Sequence, residues 1–205
     1  MPRQIRQLIS LALAVMLALI AVYGTFQPLY KSWLFRQAYE ERRTIQTSGQ
    51  LITRLSEPLD MPSPIGQAEL VQGAATAVLS YLQSEGTSRD VAIELVDFLI
   101  PYFEPIYERG RGIGYSRNLY FMGTIHVFVY RRTGLALYLT GAENLFLRGL
   151  EASPMRPQFL SGLFEVYRLA GDTEKVKMVA SVILMQWPDD QRTRTTLAEY
   201  LAQPR

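Results

Sequence analysis

Pro154 and Pro188 stand 34 positions apart, and the chain between them reads as two helices joined by one tight turn. Leu160, Leu163, Tyr167 and Ala170 recur at helical spacing and form one apolar stripe. Gly171 then ends that helix in the way a C-terminal glycine does, and Asp172 caps the next. A second stripe follows, Val176, Val179, Ala180, Ile183 and Leu184, up to Trp187-Pro188. Neither helix can bury its stripe alone, so the unit requires neighbours of the same kind stacked against it.

The rest of the chain supplies such neighbours. The spacing predicts a helix from Tyr30 to Ser56, then a loop over Glu57-Pro58-Leu59-Asp60-Met61-Pro62-Ser63-Pro64, because closely spaced prolines stop a helix. Ser63 as cap and Pro64 at the first helical position open the next helix, with Ala68, Val71, Ala75, Val78, Leu79 and Leu82 on one face. Gly86 closes it, and Thr87 or Ser88 caps a partner bearing Val91, Leu95, Phe98, Leu99 and Tyr102, which Pro101 and Pro105 kink or end. Beyond the glycine-rich turn at 109–114, helices are expected over 116–132 and 135–152, over 157–187 as above, and over 191–202. Asp190 caps the last of these, and Leu197 and Leu201 cover the end of the stack. No segment alternates with period two, so the expected fold class is all-α.

From Leu8 to Phe26 the chain is apolar and uncharged, a helix of about 28 Å, close to the thickness of bilayer hydrocarbon. Arg3 and Arg6 precede it, which fits a cleaved signal peptide as well as a retained membrane helix. Its length, and the poor cleavage site at Val22-Tyr23-Gly24, favour retention. Tyr23, Phe26, Tyr30 and Trp33 gather at its far end as an interfacial aromatic belt would. The next break is placed at Pro28. The segments are therefore a membrane anchor (1–28), a helical stalk with a Pro-rich linker (29–62) and a helical repeat domain (63–205). Flanking positive charge is nearly balanced, with Lys31, Arg36, Arg42 and Arg43 on the far side. The short basic lead favours an extracytoplasmic repeat domain.

Composition excludes several function classes. The net charge is +2 with charges interspersed, which argues against a nucleic-acid surface. There is no cysteine, hence no disulfide, thiolate zinc site or thiol nucleophile. His126 is the single histidine, and its apolar surroundings point to a packed or hydrogen-bonded ring before a ligand or base. A catalytic His126 with a Glu or Asp partner is the lesser alternative. Gly110, Gly112 and Gly114 lack the strand and the Gly-Lys-Ser/Thr ending of a phosphate loop and read as a turn. Asp189-Asp190 reads as a helix cap, and Glu40, Glu41, Arg42 and Arg43 as a solvated face. Tyr102, Phe103 and Tyr107 are candidates for an exposed aromatic patch, though inter-helix packing is the ordinary role of such residues. The expectation is no enzyme, no metal and no cofactor.

The 34-residue unit resembles the tetratricopeptide repeat. Ala142, Phe146, Gly149 and Pro154 fall at that pattern's small, aromatic, small and closing-proline positions, while Phe164 and Ala180 depart from it. Across most of the chain, the order of membrane helix, Gln27-Pro28 break, helix, Pro-rich linker and degenerate repeats is similar to the C-terminal region of bacterial O-antigen ligase and polymerase-like membrane proteins. Their catalytic machinery belongs to a multi-pass part that has no counterpart in this sequence. The resemblance therefore implies a membrane-anchored docking or scaffold module for a membrane-associated protein partner, in envelope glycan assembly. The alternatives are a separately encoded piece of a glycan ligase or polymerase, and a secreted repeat protein if the N-terminus is cleaved. In such a stack the first helix of each hairpin lines a groove. In the clear repeat its groove-facing residues are Gln158, Ser161, Glu165 and Arg168.

Overall fold

The computed structural model describes residues 2–41, 44–84, 86–112, 114–154 and 156–202. Arg42 and Arg43 of the expected solvated face, and Ile113 of the glycine-rich turn, lie outside them. Among the described residues every regular element is helical and no strand occurs. The chain divides into two units, Met1–Ala74 and Ala75–Arg205.

The first unit begins with α1 (Arg3–Ala21), a π-helical turn (Val22–Phe26) and α2 (Gln27–Glu41). Together they form a helical run of 39 residues, long and apolar enough to cross a membrane, and no α1 side chain is buried. The break expected at Pro28 does not occur. Proline lacks an N–H and crowds the carbonyl four residues back, here that of Gly24. The π-turn answers this by widening the helix, so that the Gln27 N–H bonds to the carbonyl of Val22, five residues earlier.

The single helix expected from Tyr30 to Ser56 is in fact two. α2 ends at Glu41, and α3 (Ser48–Asp60) restarts behind Thr47, whose side chain accepts the Gln50 N–H at 3.2 Å. Pro58, expected in a loop, lies buried in the last turn of α3, where it costs a single backbone bond. The connecting loop shortens to 61–66. α4 (Gln67–Leu82), which carries the boundary between the units, opens at Gln67 and not at Pro64. Ser63 does not cap it: its hydroxyl donates to the Ile65 carbonyl at 2.7 Å.

Lys31 pins this loop. It is only 2% exposed, and its ammonium donates to the Met61 carbonyl and to Gln67 Oε1, both at 2.5 Å. The Gln67 amide donates onward to the Leu59 carbonyl at 3.2 Å. A buried ammonium persists only where polar groups replace its water, and these carbonyls do so. Leu51, Leu55 and Leu59 form the apolar side of α3, and Gly73 admits the Phe35 ring so closely that a Cβ there would stand 2.5 Å from it.

The second unit holds the end of α4 and then α5 (Arg89–Arg109), α6 (Tyr115–Thr133), α7 (Ala136–Ala152), α8 (Pro157–Ala170), α9 (Thr173–Gln186) and α10 (Gln191–Ala202). From α5 onward each helix packs on the next, and α6 also meets α8. The punctuation follows the sequence. Ser88, rather than Thr87, caps α5 by accepting the Val91 N–H. Gly134 and Gly171 close α6 and α8 at φ 69° and 73°, a left-handed conformation that glycine adopts freely. Asp172 caps α9 through the Lys175 N–H.

Pro101 and Pro105, expected to kink or end α5, do not end it: the helix runs through both. The carbonyls they leave unpaired, on Asp97 and Pro101, belong to exposed residues, so water can serve them. Leu201 does not cover the end of the stack either. It is 46% exposed, and α10 instead buries Thr193 and Tyr200.

The core turns on two phenylalanines seated on glycines. The ring of Phe146 on α7 lies so close to Gly123 of α6 and Gly162 of α8 that a Cβ at either would stand 2.5 or 2.7 Å from it. Phe159 packs over Gly149 in the same way, at 2.2 Å. Tyr120 joins them, its ring centroid 6.3 Å from each phenylalanine. Gly123→Ala and Gly149→Ala should each destabilise the unit by about 1–3 kcal/mol through overpacking, and Phe146→Ala by about 3–5 kcal/mol. Urea unfolding followed by circular dichroism measures both. Phe146→Leu should recover part of the Gly123→Ala loss, and strictly additive effects would refute the seat.

Candidate functional site

A cleft of about 340 Å³ runs along the second unit, and its walls come from alternate helices. α6 contributes Tyr120, Thr124, Val127, Phe128 and Arg131; α8 contributes Gln158, Ser161, Gly162, Glu165 and Arg168; α10 contributes Arg192, Thr193 and Thr196. Phe146 of α7 reaches it from below. All four residues expected to face a groove, Gln158, Ser161, Glu165 and Arg168, therefore lie in one cleft. Gln158 and Ser161 are exposed, and Glu165 and Arg168 half-buried. A second hollow, of about 400 Å³, shares Ser161 and Asp190 with the first and extends it past Pro157, Ile183 and Trp187.

Charge in the cleft is organised around Glu165. One of its oxygens accepts from Arg131 at 2.6 Å and the other from Arg168 at 2.7 Å. The bridge to Arg131 joins α8 to α6, and the Arg131 guanidinium also lies 5.4 Å from the centre of the Phe128 ring. Asp190, the other carboxylate of the lining, is engaged as the cap expected of it. It accepts the Thr193 N–H at 3.1 Å and the Thr193 hydroxyl at 2.7 Å. Those bonds, the hydroxyl's first, hold its carboxyl below the usual carboxylate range. Both acids thus spend their oxygens internally, while donors remain on the arginines: Arg168 Nε is buried without a hydrogen-bond partner, and Arg192 is exposed.

The α6 wall was missed in the sequence although a signal for it exists. Counted back from the closing glycines Gly134 and Gly171, Arg131 matches Arg168, Phe128 matches Glu165 and Thr124 matches Ser161. The two helices present equivalent positions to the same cleft. Aligning them on their C-terminal glycines would have found the second wall.

The other candidates are held by packing and hydrogen bonds, and His126, Phe103 and Tyr107 also line a hollow of about 290 Å³ together with Glu104. His126 is half-buried, its Nδ1 2.9 Å from the Met122 carbonyl and its ring 5.8 Å from that of Tyr138. Gly141 gives it room, since a Cβ there would meet the ring at 2.7 Å. Burial lowers its pKa against the opposing bond to Met122, so the neutral ring donates from Nδ1. Phe103 is buried and Tyr102 and Tyr107 half-buried, so these three form no exposed patch. Arg148 lies 4.1 Å over the Tyr107 ring and donates to the Tyr115 hydroxyl at 2.7 Å and to the Tyr107 carbonyl at 3.3 Å. It thereby bridges the glycine turn, where Gly110, Gly112 and Gly114 all take positive φ. Among the described residues no group of three or more His, Cys, Asp or Glu side chains is placed to hold a metal.

Comparison with protein-family models, with curated proteins and with solved structures found no match.

The lowered His126 pKa fixes the sign of a pH effect. The unfolded chain binds the proton first, at a pKa of about 6.5, so stability is full above that value and declines as pH falls through it toward the folded pKa. The urea midpoint should fall between pH 7.5 and pH 5.5, and His126→Gln should flatten that slope. An equally steep slope in His126→Gln would assign the effect to other groups.

Proposed function

We propose that the second unit is a tetratricopeptide-like docking module that takes an extended segment of a protein partner into the α6–α8–α10 cleft. We propose further that the helical run Arg3–Glu41 holds it at a membrane as a single-pass anchor. One observation carries the docking reading: the cleft is walled by the first helices of successive hairpins, α6 and α8, and by α10, which follows them. In stacked helix hairpins this is the concave face, the surface such arrays present to ligands. The lining contains hydroxyl, amide and guanidinium groups beside aromatic ones, suited to gripping a peptide.

The charge arrangement favours an acidic segment. The lining holds Arg131, Arg168 and Arg192 against Glu165 and Asp190, an excess of positive charge, and Arg131 and Arg192 are exposed. The anchor would restrict the module to the membrane surface and raise its effective concentration beside membrane partners.

A photo-cross-linking residue at Ser161 tests this against one at Met185, which lies on the outer face of α9 and is 79% exposed. In native membranes the Ser161 probe should capture a protein that the Met185 probe does not. Arg192→Glu should weaken that capture about tenfold, equivalent to about 1.4 kcal/mol. Identical products from both positions, or none from Ser161, would overturn the docking reading.

A further inference from the structure

The helical run has an exposed surface that does not end where its apolar stretch ends. Phe26, Leu29, Tyr30 and Trp33 follow one another on α2 and the turn before it, and are 64%, 64%, 42% and 50% exposed. Phe26 stacks on Tyr30 with ring centroids 6.2 Å apart, and Tyr30 on Trp33 at 5.7 Å. Large exposed aromatics laid out as a ladder are costly in water and mark a contact surface. The one charge within this stretch, Lys31, is absent from that surface, because its ammonium is folded inward onto Met61 and Gln67.

The consequence is a longer uncharged exterior. With Lys31 buried, no exposed charge occurs between Arg6 and Arg36, and Arg36 is paired with Glu40 at 2.7 Å on an exposed face. At 1.5 Å per residue, Arg6 and Arg36 stand about 45 Å apart along the helix, matching a bilayer of about 40–45 Å with its headgroups included. The stretch from Leu8 to Phe26 matches the hydrocarbon alone. The ladder then falls in the headgroup layer, where aromatic rings with one polar atom are favoured. Helical side chains also lean toward the N-terminus, which on α2 directs the rings back toward the apolar segment.

We propose that Phe26, Leu29, Tyr30 and Trp33 form a lipid-binding face that lies in the headgroup–acyl boundary of a phospholipid bilayer, and that inward-folded Lys31 keeps that face free of charge. The proposal rests on the single-pass anchor reading and adds to it. α2 is then part of the membrane-bound element and not a stalk projecting into water, and the loop that holds Lys31 is what completes it.

The test uses the full chain in phosphatidylcholine–phosphatidylglycerol vesicles, with Trp187→Phe leaving Trp33 as the single tryptophan of the original two. Trp33 emission should shift to the blue of a water-exposed tryptophan. It should be quenched by lipids brominated near the headgroup end of the acyl chain more than by those brominated near its terminus, and iodide quenching should fall at least threefold relative to the urea-unfolded chain. A Leu17→Trp reporter in a Trp33→Phe, Trp187→Phe background reports insertion separately. If Leu17→Trp is quenched by deep bromines while Trp33 stays open to iodide, the lipid-binding face is overturned and the anchor stands. If neither position responds to brominated lipid, the anchor reading fails and this proposal with it.

Discussion

The placement of the Phe146 ring governs the second unit. The ring approaches both neighbouring helices so closely that neither contact position has room for a Cβ, and Gly123 on α6 and Gly162 on α8 are those positions. Seating one ring on two helices fixes their distance from α7 and hence from each other, which is why α6 and α8 meet although α7 separates them in sequence. Interiors close-packed to this degree transmit a single side chain's shape into helix spacing. The same ring reaches the bottom of the cleft, so the contact that sets the helix spacing also sets the width of the candidate site.

Charge at the top of the cleft works with that spacing. The Arg131–Glu165 bridge spans the two helices that Phe146 draws together, and Arg168 holds the carboxylate's other oxygen. Partly exposed ion pairs of this kind contribute at most about 1 kcal/mol each. Their importance is therefore orientation: Glu165 keeps two guanidinium groups aimed across the same gap.

The legibility of the chain follows how local each signal is. α6 to α10 were readable to within a residue or so because their ends are set by single residues acting on adjacent backbone, Gly134, Gly171, Asp172 and Asp190. The misread boundaries are mostly at prolines. Pro28, Pro58, Pro101 and Pro105 all sit inside helices, since whether a proline ends a helix depends on what else can satisfy the carbonyl it strands. A π-turn, a place in the last helical turn and exposure to water were the three answers, and none is written in the residues beside the proline. Phe159 was passed over for a related reason: its value comes from Gly149 on another helix. Half of the cleft was legible because one helix face is a local pattern, while its opposing wall required knowing which helices face each other.

Lys31 carries this argument furthest. In sequence it is a positive charge beside a membrane segment, and a charge there ordinarily marks where the membrane ends. Its three-dimensional partners, the Met61 carbonyl of the Pro-rich loop and Gln67 Oε1 at the start of α4, lie 30 and 36 residues away and remove it from the surface. A count of charges along the helix places the membrane boundary near residue 30. A count of exposed charges extends the uncharged exterior to Arg36, one and a half helical turns further on. Because hydration acts on surface and not on sequence, the second count is the physically relevant one. On the proposed anchor reading, the Pro-rich loop that folds over Lys31 is a determinant of how deeply the helical run would sit in a bilayer.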